Sequence, residues 1–383
     1  MKEKHIHGGD VYRRPGILDF SANCNPFGTP SGVIKAGAEA MGKICCYPDV
    51  EYQGLRQALA EEEEVPGNWI ICGNGAADLI FSLVLARKPK KALLAAPSFA
   101  EYSQALKALG CEIQYHYLKE EEGFRPGEDF IEAVTEETQL VFFCNPNNPT
   151  GTASSKEYVY RLAQQCRRKQ VFLAVDECFN DFLEKPEDYS MKSYLDQFPG
   201  MLLLKAFTKK YAMAGIRLGY GLCSNQEILE EMRAVMQPWS VSLVAQEAGI
   251  AALREKEYVR TTLSKIRGER NFLMENMRKL GYFLFDSQAN YIFFKGPSGL
   301  EKFCLDRNIS IRDCSNYEGL GRGYYRVAVR TREENQKLLQ VLQEGAEKYR
   351  EEREKNYGKG NYDSGNHVQC RKKSAGGRCL QDF

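Results

Sequence analysis

Apolar runs of strand length recur along the first part of the chain: 69-WIICG, 92-ALLAAP, 139-QLVFFCNP, 171-VFLAVDE, 201-MLLLKAF and 218-LGYGLC. Segments of helical period fill the gaps between them, among them 76-AADLIFSLVLAR and 155-SKEYVYRLAQQCRRK. Strands that are apolar along their whole length, rather than at alternate positions, need cover on both faces. The pattern therefore predicts an α/β fold with a mostly parallel sheet sandwiched between helices. From about Val241 the pattern changes to one long helical stretch through residue 280, then 290-NYIFFK, 308-NISIR, 324-YYRVAVR and a last helix beginning at 332-REENQKLL. This reads as a second, smaller α/β unit. After about Glu351 aliphatic residues and periodicity disappear, and the segment 351–383 is expected to be a disordered tail carrying Cys370 and Cys379.

With 52 basic and 51 acidic residues, the chain has no electrostatic bias toward nucleic acid or an anionic membrane, so no partner of either kind is expected. The N-terminus MKEKHIHGGDVYRRPG lacks an apolar signal core, and no run is long enough to span a bilayer, which predicts a cytoplasmic protein. Thirteen cysteines, an odd number scattered through apolar segments, read as reduced and buried small hydrophobes, Cys370 and Cys379 excepted. The run 61-EEEE reads as the solvated end of a helix.

Several short stretches carry chemistry. The turn 73-GNGAAD-78 joins a strand to an apolar helix, so the amides of Gly75, Ala76 and Ala77 fall at a helix N-terminus, where a phosphate binds well. Asp78 stands where a dinucleotide fingerprint has its third glycine, and the lysine of a Walker loop is absent. A plain structural turn is the competing reading. The segment 144-CNPNNPTG-151 has two Asn-Pro steps, which demand a rigid turn and suit a cis peptide; an asparagine fixed there can aim its amide at a ligand. Asp176 ends a strand at its carboxyl side, where ligands lie in open α/β sheets, although it could equally cap the next helix.

In 205-KAFTKKYAMAGIRLGY-220 another strand ends among three lysines and an arginine. A lysine walled by apolar residues can become a nucleophilic amine, whereas most lysines are solvated surface charges. A phosphate cup, an Asn-Pro turn, a strand-end aspartate, a lysine and an arginine, in that order, are the parts needed to hold pyridoxal 5′-phosphate (PLP).

On these motifs the chain, over residues ~5 to 350, resembles the fold-type I PLP enzymes of the class I/II aminotransferase superfamily, the aspartate aminotransferase-like fold. The resemblance implies an N-terminal arm with part of the small domain over 1–40, a large PLP-binding domain over 41–245 and a small domain over 246–350. It makes Lys209 the Schiff-base lysine, eight residues before the phosphate-binding Arg217 and preceded by Thr208. Lys205 and Lys210 then keep the solvated reading. Asp176 would pair with the ring nitrogen, Asn148 with the ring oxygen, and Phe99 would stack on the ring. Tyr47 would reach the cofactor phosphate of a neighbouring subunit, which implies a homodimer with shared sites. One departure stands out: Ala206 occupies a position where the family usually offers a hydroxyl to the phosphate.

Within the superfamily the chain is most similar to the branch containing histidinol-phosphate aminotransferases and L-threonine-O-3-phosphate decarboxylases. The stretches 7-HGGD, 19-DFSANCNPFG and 310-SIRDCSNYEGLGRGYYRVAVRTREEN follow the decarboxylase pattern, and Phe179 stands where aminotransferases usually carry a tyrosine. The resemblance implies PLP-dependent loss of CO2 from a phosphorylated amino acid in cobalamin biosynthesis, with Arg326 on the α-carboxylate. Arg312 would hold the substrate phosphate, helped by His7 and the Gly8-Gly9 backbone, and Asn23 would line the substrate side. Histidinol-phosphate transamination and phosphoserine decarboxylation are the alternatives. His367, Cys370 and Cys379 fall short of a zinc pattern, so no metal is expected.

Overall fold

A computed structural model of the chain describes residues 8–360. Its strands are β1 (Leu18–Asp19), β2 (Ile70–Gly73), β3 (Lys91–Ala96), β4 (Glu112–Tyr117), β5 (Leu140–Cys144), β6 (Phe172–Asp176), β7 (Met201–Ala206), β8 (Gly219–Leu222), β9 (Phe283–Leu284), β10 (Tyr291–Lys295), β11 (Ile309–Ser310), β12 (Arg312–Asp313) and β13 (Tyr324–Ala328). The helices are α1 (Ser31–Ala40), α2 (Gln53–Glu63), α3 (Ala76–Arg87), α4 (Ala100–Ala108), α5 (Glu128–Glu132), α6 (Lys156–Arg168), α7 (Phe207–Lys210), α8 (Gln226–Val235), α9 (Leu243–Leu253), α10 (Lys256–Lys279), α11 (Leu300–Leu305) and α12 (Arg332–Gly360).

Seven strands form the main sheet in the order β2-β8-β7-β6-β5-β3-β4. All neighbours are parallel except β8, which runs antiparallel to both β7 and β2. Because strand side chains alternate, each strand feeds two cores. Leu203 of β7 joins one core with residues of α2, α6 and α9, while Leu202 and Leu204 join the other with α3, α4 and α8. Each such leucine, fully buried, stabilises the sandwich by about 1.5–3 kcal/mol. This explains why the strands read as unbroken apolar runs. A second sheet, β12-β13-β10-β9, is antiparallel and has its own core with α10, α11 and α12, while β1 pairs with β11 beside it.

Several sequence expectations need correction. The edge strand β4, EIQYHY, is half exposed and carries too many polar residues to stand out as an apolar run. The helical stretch from Val241 to 280 is two helices, α9 and α10, broken at Arg254-Glu255. Helix α12 continues to Gly360, so the first residues assigned to the disordered tail are helical; residues beyond 360, with His367, Cys370 and Cys379, lie outside the described residues. Cys45 and Cys46 are exposed rather than buried, and Cys24 is half-buried. Glu63, in the run expected to be solvated, is 5% exposed. No helix among the described residues is long and apolar enough to cross a membrane.

Candidate functional site

The carboxyl ends of β3, β5, β6 and β7 open on one cavity of about 320 Å³. Most of the residues singled out in the sequence line it: Gly8, Asn23, Ala76, Ala77, Phe99, Asn148, Asp176, Thr208, Lys209, Arg217, Arg312 and Arg326. Ala206 and Phe179 line it as well. Three are placed elsewhere: Gly9 and Gly75 are not among the lining residues, and Tyr47 is 80% exposed, its ring tilted against that of Trp239 with centroids 4.6 Å apart. His7 lies outside the described residues.

The cup is built by α3 and β8. Gly75 caps α3 at φ 82°, a conformation that favours glycine, and a Cβ there would come 2.7 Å from Nη2 of Arg217. Across from it, a Cβ on Gly219 would come 2.4 Å from the Ala76 nitrogen. Backbone, amides and guanidinium are thus drawn together with no room for side chains between them. With the positive end of the α3 dipole added, this is an anion site of phosphate character. Ala206 contributes no hydroxyl, and Thr208, which is buried, presents one to the same cavity. Asp78 serves the turn itself, accepting from the Asn74 amide at 2.8 Å.

Asp176 is held at both oxygens. Oδ2 accepts from the Tyr102 hydroxyl at 2.5 Å and Oδ1 from the Cys178 amide at 3.0 Å. Tyr102 is itself stacked on Phe142, so the carboxylate cannot swing away. Asn148 follows a cis Asn145-Pro146 bond and precedes a cis Pro149 in the rigid turn. Its Oδ1 accepts from Arg326 and from the Tyr317 hydroxyl, which turns its Nδ2 donor toward other acceptors. Lys209, on the short helix α7, has its Nζ 5.5 Å from the centre of the Phe179 ring.

The other two lysines of the turn are not solvated. Lys205 pairs with Glu63 at 3.1 Å, and Lys210 with Asp181 at 3.1 Å. Burial would raise the Glu63 carboxyl, but Lys205, the Tyr220 hydroxyl, Lys210 and Lys192 together hold it down at about 2. Both lysine side chains are largely withdrawn from water and paired with a carboxylate, so the rule that lysines are solvated fails here for two of three.

Arg312 on β12 and Arg326 on β13 are direct cross-strand partners in the small sheet, each 6% exposed. Arg326 donates to the Ser21 carbonyl at 2.9 Å and to Asn148 Oδ1, and lies against the Tyr291 ring. In the amide orientation that satisfies both groups, Asn23 Oδ1 also accepts from Arg326, 3.2 Å from Nη1 and 3.3 Å from Nε. Arg312 donates to the Asp313 carbonyl at 2.7 Å and to Asn316 Oδ1 at 2.8 Å, and lies over the Tyr317 ring. Two buried cations set side by side repel each other unless anions face them. The cavity thus has an anion cup at one end, a guanidinium pair at the other, and an amine and a carboxylate between.

Sequence reasoning missed Glu101, Tyr102, Ser21 and Tyr317. Tyr102 stands three residues after Phe99, one helical turn on, but nothing in the sequence says that its hydroxyl meets Asp176. Burial pushes the Glu101 carboxyl up to about 7 against the pull of its own backbone amide and of Lys209.

The sequence profile of the family described as aminotransferase class I and II matches residues 15–342. Threonine-phosphate decarboxylase of Salmonella typhimurium is 35% identical over 348 residues, covering 88% of this chain and 95% of its own. Histidinol-phosphate aminotransferase of Symbiobacterium thermophilum is 32% identical over 87% of this chain and 92% of its own. The crystal structure of histidinol-phosphate aminotransferase from Clostridium acetobutylicum superposes with a TM-score of 0.82 at 29% identity, covering 87% of this chain and all of that one. Family profile, relative and superposed fold agree over most of the chain, which belongs to the aminotransferase class I and II family.

Proposed function

We propose that this chain is a PLP-dependent carboxy-lyase that converts L-threonine O-3-phosphate to (R)-1-aminopropan-2-yl phosphate and CO2, the reaction that supplies the aminopropanol arm in cobalamin biosynthesis. The observation that carries the reading is the buried cross-strand pair Arg312 and Arg326, which suits a substrate with two anionic groups. The 35% identity to the Salmonella enzyme supports the choice of reaction. The cup of Ala76, Ala77 and Arg217, with Lys209 and Asp176 beyond it, fits the cofactor.

When bound, PLP withdraws electrons from the bond that breaks at the substrate α-carbon. Lys209 would be the residue that holds the cofactor covalently, and its amine would supply the proton to the α-carbon after CO2 departs. Asp176, fixed by Tyr102 and Cys178, would keep the ring nitrogen protonated. Asn148 would donate from Nδ2 to the ring oxygen, Phe99 would cover the ring, and Thr208, Arg217, Ala76 and Ala77, which line the cavity, would hold the phosphate with Gly75 behind them. Phe179 would leave the ring oxygen without a phenol donor. Arg326 holds the carboxylate and Arg312 the substrate phosphate, with Asn23, the Gly8-Gly9 backbone and His7 at the mouth. Tyr47 acts in the cavity of a second copy. The large unit 41–245 then supplies the cofactor side, and 1–40 with 246–350 supplies the substrate side.

Incubation of the purified protein with L-threonine O-3-phosphate is expected to release CO2 and aminopropanol phosphate in equal amounts. Lys209→Ala is expected to abolish both products and the yellow colour of the holoenzyme. Glutamate formation in the reverse sense, or histidinol phosphate consumed with 2-oxoglutarate and no CO2 released, would replace this reading with the aminotransferase. Faster turnover of phosphoserine would change the substrate only, a preference worth about 1–3 kcal/mol for one methyl.

A further inference from the structure

Helix α7 has four residues, too few to fix its own end, and the carbonyls at that end are held only loosely from within the turn, that of Lys209 by the Ala212 amide at 3.4 Å. Asn25, from a segment 184 residues away in sequence, meets two of them. Its backbone amide donates to the Lys209 carbonyl at 3.0 Å, and its Nδ2 donates to the Lys210 carbonyl at 3.0 Å. The second Nδ2 hydrogen goes to Thr262 Oγ1 of α10 at 2.9 Å, and Oδ1 accepts from the Phe27 amide at 3.1 Å. Asn25 is 3% exposed, and its side-chain amide uses both N–H donors and its oxygen. The same segment reaches the other end of the cavity. The Ser21 carbonyl and the Asn23 side chain hold the Arg326 guanidinium, and Ser21 is fixed in turn by Asp19 Oδ1, at 2.8 Å from its amide and 2.6 Å from its hydroxyl.

We propose that Asn25 is a positioning residue that caps the Lys209 turn and, through residues 21–25, fixes the distance between the lysine amine and the Arg326 guanidinium, so that it helps decide which bond at the substrate α-carbon breaks. The proposal rests on the decarboxylase reading above. In that reaction the α-carbon loses its carboxylate, the bonding electrons pass to the bound cofactor, and a proton from Lys209 forms the new C–H bond. In the competing transamination Lys209 removes the α-hydrogen instead, the amino group stays with the cofactor, and water releases a 2-oxo acid. The two outcomes differ by a rotation about the bond from nitrogen to the α-carbon. A small relative shift of Arg326 and Lys209 is therefore enough to favour one over the other.

The test compares wild-type holoenzyme with Asn25→Ala and Thr262→Val, the second removing one Asn25 partner from outside the cavity. Two readouts are taken: the pH midpoint of the visible absorption of substrate-free holoenzyme, and the ratio of CO2 to 2-oxo acid formed from L-threonine O-3-phosphate. In Asn25→Ala the midpoint is expected to move by about half a unit or more, and the ratio to fall about tenfold. Thr262→Val is expected to move both in the same direction by less. Both variants with wild-type midpoint and ratio would overturn the proposal. If Asn25→Ala does not fold, Thr262→Val decides alone, and wild-type values in it count against the proposal. A wild-type protein that releases no CO2 refutes the decarboxylase reading, while the absorption midpoint still decides the role of Asn25.

Discussion

Glu101 shares the cavity with Lys209, Asp176 and Arg312, and its carboxyl sits at about 7 because burial penalises the charged form. Its backbone amide, Lys209 and Arg312 favour the charge, while Asp176 opposes it. The kcat/KM profile of the holoenzyme is expected to carry a limb near pH 7 that Glu101→Gln lacks. The sign for stability follows from the same shift. The folded value lies above the ordinary 4.5, so the wild type loses stability as pH rises from about 4.5 to about 7, and the loss persists above that. Melting temperatures of wild type and Glu101→Gln at pH 5 and pH 8 should therefore diverge in favour of the variant at the higher pH.

At the scale of elements, the cup depends on how closely β8 approaches the start of α3. A methyl on Gly219 would lie 2.4 Å from the Ala76 nitrogen and 2.6 Å from the Gly75 carbonyl carbon, both backbone atoms that cannot step aside. Overpacking of this kind costs about 1–3 kcal/mol. Gly219→Ala is expected to weaken cofactor binding by about tenfold or more, read by titrating the apoprotein with PLP and following its absorbance. The cup, the strand-end Asp176 and the lysine turn were legible in the sequence because backbone chemistry and strand ends leave local marks: glycines, an Asn-Pro turn, a polar residue closing an apolar run. The cross-strand facing of Arg312 and Arg326 and the grip of Asn25 on Lys209 and Lys210 were not, because both join residues through register and chain reversal rather than spacing. The same limit hid β4, whose half-exposed face carries no apolar signature.

For the whole molecule, the surface bears apolar side chains that a lone chain gains nothing by exposing. Met41, Ile44, Tyr47 and Val50 are all exposed within ten residues, and Tyr47 lies on Trp239, also exposed. If this face seats a second copy, sedimentation equilibrium should give about 87 kDa, twice the 43.5 kDa of the chain. Tyr47→Ala should then lower cofactor retention although its own cavity is untouched, since the tyrosine would serve the other copy. A 43.5 kDa species carrying a full complement of cofactor would rule out the shared site.

The ion pairs of Lys205 and Lys210 have one more consequence. An aldehyde condenses with an unprotonated amine, and three lysine amines lie within six residues of chain at this turn. For Lys205, burial lowers the ammonium, and Glu63, Asp181 and Glu177 together outweigh it; for Lys210, Asp181, Tyr211 and Glu63 together do the same, so both are held above the ordinary value. The carboxylates act as protecting groups in the synthetic chemist's sense. They keep two competing nucleophiles masked, so the selective bond formation at Lys209 that we propose would be a property of its neighbours as much as of Lys209 itself.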